Sequence, residues 1–183
     1  MKTFFVILWM MGTSFCLYAQ DCTELNSRGF RQAGRAHYQQ ALALFTKAIQ
    51  LDPTYSEAWY NRALAYSKLK NYASAIADYS KAIEIRPGFA KAYNNRGADK
   101  NETGDYDGAI ADYTSAIALD TGYARAYFNR GIAYMRQQEY DRAISDYQKA
   151  IQLKPEFIEA KLNMSYALHA KNSKPTKTAT ARQ

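Results

Sequence analysis

The stretch that decides the fold is Ser56–Phe89, SEAWYNRALAYSKLKNYASAIADYSKAIEIRPGF. The same pattern returns every 34 residues, once before this stretch and twice after it. Four columns show the repeat most plainly: Arg28, Arg62, Arg96 and Arg130; Tyr38, Tyr72, Tyr106 and Tyr140; Ala41, Ala75, Ala109 and Ala143; Ala48, Ala82, Ala116 and Ala150. A unit of this length cannot bury its apolar face alone, so neighbouring units must stack on one another. The chain is therefore predicted to be a repeat protein that works through the surface of its stacked units.

Each repeat is predicted to fold as two antiparallel helices joined by a tight turn. Trp59, Ala63 and Tyr66 recur at spacings of three to four residues, which marks one face of a first helix. A second apolar run ends before Pro87, because proline lacks the amide hydrogen that a helix needs. The predicted first helices are 23–35, 57–69, 91–103 and 125–137, and the predicted second helices are 39–51, 73–85, 107–119 and 141–153.

Two sets of columns predict how these helices pack. Alanines let the helix axes approach closely, and a column of aromatic residues fills the space between them: Phe45, Tyr79, Tyr113 and Tyr147. Three arginines are each followed sixteen residues later by an aspartate, giving Arg62 with Asp78, Arg96 with Asp112, and Arg130 with Asp146. We expect ion pairs within each repeat, because arginine binds a carboxylate with two parallel hydrogen bonds. The alternative, a basic stripe for phosphate, is disfavoured by the matching acids.

These columns resemble the tetratricopeptide repeat family. The family pattern of aromatic, Leu, Gly, Tyr, Ala, aromatic, Ala and Pro maps onto Trp59, Arg62, Ala63, Tyr66, Ala75, Tyr79, Ala82 and Pro87, and again onto Tyr127, Arg130, Gly131, Tyr134, Ala143, Tyr147, Ala150 and Pro155. The sequence departs from the pattern at Lys100, where the family usually has Tyr, at Thr121, where it has Pro, and throughout the arginine column, where it has Leu.

The resemblance implies an all-α fold, a right-handed α-solenoid of four helix–turn–helix repeats whose first helices line a concave peptide-binding groove. The four repeats are Cys22–Tyr55, Ser56–Phe89, Ala90–Tyr123 and Ala124–Phe157. Residues 158–171 are predicted to form a capping helix, since Phe157, Leu162 and Leu168 follow a helical period. Residues 172–183 have no apolar periodicity and are predicted to be a disordered basic tail.

The N-terminus is typical of a secretory signal peptide. Residues 1–20 carry Lys2, then a long uncharged and mostly apolar run, then Ala19 as a small residue for cleavage. The chain is therefore expected to be exported, to the periplasm or the medium; an uncleaved leader that anchors it in the membrane is the alternative. After cleavage Cys22 is the one remaining cysteine, which favours an unpaired thiol at a frayed terminus over a link to another chain.

The net charge of +7 says little about the repeats themselves. Without Lys2 and the four cations of the last 13 residues, 19 basic residues stand against 17 acidic ones. Binding of nucleic acid or an anionic surface is therefore an unlikely function, confined to the tail.

The sequence contains few residues suited to catalysis. The two histidines, His37 and His169, belong to opposite ends of the repeat array and cannot share a metal ion or a catalytic triad. The glycines occupy turns or close-packing positions and form no phosphate-binding loop. We therefore expect no catalysis, no cofactor, no metal and no small-molecule substrate.

One column instead indicates binding of a protein or peptide. Asn61, Asn95, Asn129 and Asn163 step at the repeat spacing, and an amide both donates and accepts hydrogen bonds, so it can bind a peptide backbone of any sequence. The neighbouring candidates are Lys91, Arg125, Tyr60 and Phe128, with Phe30, Leu64, Ile132, Met135 and Leu162 as apolar neighbours. We expect these amides to be exposed and to contribute little to the stability of the free protein; the alternative to a binding role is that they form a solvated helix face. The predicted function is a non-enzymatic scaffold that binds a protein segment; the alternative is a cell-envelope adaptor that self-associates through the ends of the solenoid.

Overall fold

The computed structural model describes residues 21–173, which contain helices and no strand. The first helix, α1, covers residues 21–34 of the described part. The others are α2 (Tyr38–Leu51), α3 (Ser56–Lys68), α4 (Tyr72–Ile85), α5 (Ala90–Glu102), α6 (Tyr106–Leu119), α7 (Ala124–Arg136), α8 (Tyr140–Leu153) and α9 (Ile158–Ser173). From α2 to α8 each helix begins one residue before its predicted start. The apolar period and the turn residues therefore place the helix boundaries to within one residue.

Two predictions fall partly outside the described residues. The signal peptide, residues 1–20, lies outside them, and so does the tail from residue 174 onward. Asn172 and Ser173 were predicted to begin the disordered tail, but they form the last residues of α9.

The described helices belong to two compact units, and the boundary between Asp99 and Lys100 falls within α5. In unit 1, α3 packs against both α2 and α4. In unit 2, α7 packs against both α6 and α8, and α9 packs against α8. Within each unit these consecutive helices are therefore neighbours in space, as a chain of helix pairs requires.

The core of each helix pair consists of alanines packed against one large ring. Phe45, Tyr79, Tyr113 and Tyr147 are all buried, and so are the alanines around them. Gly131 shows how tight this packing is, because a Cβ atom there would lie 2.6 Å from the ring of Tyr147. The predicted packing of small residues against large ones is confirmed.

The turn inside each repeat uses a left-handed backbone conformation. Ala36, Lys70, Gly104 and Gln138 occupy the same position in the four repeats and have φ angles between 58° and 86°. Only glycine adopts this conformation without steric cost, so three of the four turns are held by the packing of their helices rather than by local preference.

Two of the three predicted ion pairs are confirmed. Arg62 Nε and a terminal nitrogen donate to Asp78 at 2.7 and 2.9 Å, and Arg130 donates to Asp146 in the same way at 2.8 Å for both bonds. Each arginine also donates to a hydroxyl on the preceding second helix, Thr46 for Arg62 and Thr114 for Arg130. The arginine column thus ties the second helix of its own repeat to that of the preceding one.

The third predicted pair involves residues of different units and stays a prediction. In unit 1, Arg96 donates to Ser80 Oγ at 2.9 Å. In unit 2, Lys100 forms an ion pair of 2.9 Å with the buried Asp112. Lys100, which departs from the family pattern, therefore supplies a charge to the carboxylate of its own unit.

Cys22 is buried, which corrects the expectation of a frayed terminus. Its side chain is 2% exposed and packs with Ala48, Ile49 and Ala58. Desolvation raises the pKa of its thiol, and Asp52 adds to the effect. The start of α1 is therefore part of the core of unit 1.

Candidate functional site

In unit 1 the predicted site residues lie on α3 and α5, and a hydrogen-bond network connects them. Asn95 Nδ2 donates to Tyr60 Oη at 2.9 Å, and Asn95 Oδ1 accepts from Asn94 Nδ2 at 3.0 Å. Tyr79 packs on Tyr60, and burial raises the pKa of its hydroxyl. The Asn95 amide is held in one orientation by Tyr60 and Asn94.

A second network joins α1 to α3. Asn61 Nδ2 donates to Asn26 Oδ1 at 3.0 Å, and Asn26 Nδ2 donates to Tyr55 Oη at 3.3 Å. Asn26 is 8% exposed, and desolvation raises the pKa of the Tyr55 hydroxyl. Side-chain amides thus link successive first helices within unit 1.

These networks correct the prediction made from the sequence for the asparagine ladder. The asparagine ladder was expected to be exposed and without a role in stability, but Asn61 and Asn95 are half-buried and bonded within the protein. Their partners Asn26 and Asn94 were not among the predicted site residues. The signal was present, because both stand at the repeat position that Tyr60 occupies, in the repeats on either side of it.

The two aromatic candidates have matching surroundings in the two units. Tyr60 packs on Tyr79 and Phe89, with ring centroids 5.8 and 4.7 Å apart. Phe128 packs on Tyr147 and Phe157 with centroids 5.9 and 4.7 Å apart. Both rings are half-buried, so each offers an edge to solvent from a fixed position.

Two exposed cations accompany the amides. Lys91 lies one helical turn before Asn95 on α5, and Arg125 lies one turn before Asn129 on α7. Residues four apart lie on the same side of a helix, so each of these helices presents a cation beside an amide. Both cations are exposed and both amides are half-buried.

The remaining candidates complete the surface of each unit. In unit 1, Phe30 is 63% exposed and lies one turn after Asn26 on α1. In unit 2, Ile132 packs against the core of α7 and α8, and Asn163 is half-buried on α9. We use the name first-helix face for the set Phe30, Tyr60, Asn61, Lys91 and Asn95 in unit 1 and, separately, for the set Arg125, Phe128, Asn129 and Asn163 in unit 2.

The described residues do not bring metal-ligating side chains together. Within residues 21–173, no three His, Cys, Asp or Glu side chains are grouped so that they could hold a metal ion. His37 lies at the surface of unit 1, 3.0 Å from Gln32, and His169 lies exposed on α9 in unit 2. In the same part of the chain, every helix is too short or too polar to cross a membrane.

Comparison with known proteins identifies the repeats. A family model described as tetratricopeptide repeat matches residues 56–89 and 124–157, and one described as TPR repeat matches residues 35–70 and 100–138. A crystal structure of MamA protein has 27% sequence identity and a TM-score of 0.78, and the similarity covers 84% of each chain. The TPR domain of Arabidopsis OM64 has 29% identity and a TM-score of 0.61, over 62% of this chain and 94% of that one.

A curated relative gives a shorter match. An uncharacterized protein of Methanocaldococcus jannaschii is 42% identical over 38 residues, which is 21% of this chain and 44% of that protein. The chain thus matches less than half the length of this relative. The family assignment therefore depends on the repeat models and the solved structures. Together these matches show that the chain belongs to the tetratricopeptide repeat family, a family of protein-interaction modules, and that its fold is the predicted all-α solenoid of helix–turn–helix repeats.

Proposed function

We propose that the chain binds a segment of a partner protein through the first-helix face and acts as a scaffold without catalysing a reaction. The observation that carries this proposal is the exposed cation one turn before a half-buried amide on both α5 and α7. A cation and an amide in this arrangement suit a peptide with an acidic side chain next to an accessible backbone. Phe30, with its exposed ring, adds a place for an apolar side chain.

The internal hydrogen bonds support this role. Asn61 and Asn95 are fixed by Asn26 and Tyr60, so their amides lose little conformational freedom when a peptide binds. An amide group has two N–H donors and two acceptor lone pairs, so an internal bond leaves capacity for a ligand. Binding then depends on a pre-organised surface rather than on side chains that must be ordered first.

Peptide selection tests this proposal. A random peptide library displayed on phage is panned against the full-length protein, and the affinity of an enriched peptide is then measured for matched variants. Lys91→Ala and Arg125→Ala are each expected to weaken binding by about tenfold, because each removes a charged hydrogen-bond donor. The controls are Lys47→Ala on α2 and Arg142→Ala on α8, which remove exposed cations from second helices. Equal losses in test and control variants, or no peptide enriched at all, would contradict the proposal.

Export of the protein is a separate proposal, which depends on residues 1–20. A leader with one early lysine and a long apolar run supports secretion with cleavage near residue 20. N-terminal sequencing of the protein from the extracytoplasmic fraction tests it. A mature N-terminus at Gln20 or Asp21 supports cleavage, and an intact leader in the membrane fraction supports the anchored alternative.

The second candidate function is a structural adaptor that self-associates through the ends of the solenoid. One observation favours it: Ile158, Leu162 and Tyr166 of α9 are 72%, 55% and 60% exposed. Three apolar side chains on one side of a terminal helix are suited to a contact with another protein.

A further inference from the structure

The exposed side of α9 is an apolar stripe. Ile158, Leu162 and Tyr166 are spaced by four residues, so they lie on one side of the helix, with the exposed Ser165 between them. Ala160 and Ala167, which are fully buried, pack on the other side against α8. The helix thus has two apolar sides, and the described residues cover one of them.

In the other first helices the positions equivalent to Ile158 and Leu162 are covered. The residues equivalent to Ile158 include Cys22 and Ser56, which are 2% and 6% exposed. The residues equivalent to Leu162 include Asn26 and Asn94, which are 8% and 2% exposed. The other residues at these two positions are half-buried; at the position of Tyr166, Phe30 is 63% exposed and the others are half-buried. In unit 1 this side contacts the following first helix, since Asn26 accepts a hydrogen bond from Asn61 and Tyr60 accepts one from Asn95, so the stripe of α9 has the chemistry to receive another helix.

The N-terminal end of a second copy does not fit this stripe. First helices that stack on a preceding repeat do so through small residues, Ala58, Ala92, Ala126 and Ala160, all fully buried. The equivalent residue of α1 is Glu24, which forms an exposed ion pair with Arg31 at 3.1 Å. Stacking α1 on α9 would bury this pair and two long side chains, at a large desolvation cost. A head-to-tail array is therefore disfavoured.

The tail following α9 does not fit the stripe either. Residues 174–183, KPTKTATARQ, contain no Val, Leu, Ile, Met, Phe, Tyr or Trp to place against the stripe, and three of them are cationic. A helix with an uncharged apolar side is needed, and α9 of another copy provides one.

We propose that the α9 stripe binds the same stripe of a second copy, around a two-fold axis. The surface is self-complementary, because the stripe is uncharged and Glu159 and Lys161 lie on opposite sides of it. One helix side buries less than the roughly 1,200 Å² of a stable interface, so the dimer is weak and reversible. This inference rests on the second candidate function, and its test can fail separately from the peptide-binding test, because the substituted residues Lys91 and Arg125 lie on α5 and α7 and not on α9.

Sedimentation equilibrium of the full-length protein tests the pairing. The mass of the wild type should rise with concentration from one chain towards two, whereas Leu162→Glu should stay at one chain. Leu119→Glu is the matched control, because Leu119 is 47% exposed on α6 of the same unit and should leave the pairing unchanged. Tyr166→Ser serves as a second, milder variant of the stripe, and circular dichroism checks that each variant folds.

Cysteine cross-linking tests the two-fold geometry. Ser165→Cys places a thiol at the middle of the stripe, where it should form a disulfide-linked dimer under mild oxidation. The controls are the wild type and Ser145→Cys, which places a thiol on the exposed side of α8 and should stay monomeric. A wild type that is one chain at every concentration, a mass that climbs past two chains, or equal cross-linking of both serine variants would overturn the proposal. Binding of a monomeric protein to phosphatidylglycerol vesicles that is lost in Leu162→Glu would also overturn it and would assign the stripe to a membrane surface.

Discussion

At the scale of single residues, Asn95 is both a member of the candidate site and part of a hydrogen-bond network that stabilises the fold. Its amide hydrogen-bonds Tyr60 and Asn94. A side chain with two internal partners fixes the geometry of the surface around it. The site and the fold therefore share this residue, so binding measurements on it need a stability measurement beside them.

We expect Asn95→Ala to lower the free energy of unfolding by about 1–3 kcal/mol, because it removes the hydrogen bonds to Tyr60 and Asn94. Asn163→Ala, at the equivalent position of α9, should cost clearly less, since Asn163 borders the exposed side of α9. Urea unfolding followed by circular dichroism compares the two variants. Equal stability of Asn95→Ala and the wild type would show that the network contributes nothing.

Tyr147 carries a buried hydroxyl with no hydrogen-bond partner among residues 21–173. Burial raises the pKa of this hydroxyl, so the folded chain keeps the proton where the unfolded chain releases it. Above about pH 10, the ordinary tyrosine value, the native state therefore holds more protons than the unfolded state. Stability then falls as the pH rises through that range.

Tyr147→Phe removes this hydroxyl and keeps the ring, as Phe45 does in the first repeat. At neutral pH the variant should be at least as stable as the wild type, since an unsatisfied polar group is lost. At alkaline pH the free energy of unfolding of the variant should exceed that of the wild type, by about 1.4 kcal/mol for each pH unit above the ordinary tyrosine pKa. Unfolding curves at neutral and alkaline pH measure both effects. A variant that is less stable at neutral pH would mean that the hydroxyl has a partner.

At the scale of helices, the arginine–aspartate pairs hold together the two helices of the second and of the fourth repeat. Arg62 and Asp78 have side chains that are 15% and 8% exposed, and their two hydrogen bonds raise the pKa of the guanidinium. The ring of Trp59 lies 4.8 Å from the Arg62 guanidinium carbon, so the arginine also packs on its own helix. A buried carboxylate without this partner would be an uncompensated charge.

Arg62→Ala is therefore expected to cost about 3–5 kcal/mol, and Arg62→Ala with Asp78→Ala less than that single change. A double-mutant cycle by urea unfolding gives the coupling energy, and the same cycle on Arg130 and Asp146 repeats the test in unit 2. If the double variant is less stable than Arg62→Ala by as much as Asp78→Ala alone destabilises the wild type, the two side chains act independently.

The helices were the most predictable part of the molecule. Apolar residues spaced by three to four positions, together with Pro87 and the turn before Tyr72, placed α4 within one residue of its observed bounds. The end of α9 was less predictable, because polar residues such as Asn172 are compatible with either a helix or a tail. The side of α9 that packs was also ambiguous: Leu162 and Leu168 share a helical period with Phe157, but both are exposed while Ala160 and Ala167 are buried.

At the scale of the whole molecule, the repeat period alone predicted the fold, because a regular spacing forces one helix pair to pack like the next. The residues of the first-helix face could be identified in the same way, column by column. Their hydrogen bonds could not, because whether Asn61 points to solvent or to Asn26 depends on side-chain orientation in three dimensions. Sequence periodicity therefore predicts which residues share a face better than it predicts what each one contacts.

The most direct test of the proposed function maps where a selected peptide binds. A peptide enriched against the full-length protein is synthesised with a photoreactive group, cross-linked at saturation, and the attachment sites are identified by mass spectrometry. We expect cross-links on α3, α5 and α7, near Tyr60, Lys91 and Arg125, and competition by unlabelled peptide. Cross-links concentrated on the second helices α2, α4, α6 and α8 would contradict it and place partner binding on the other side of the repeats.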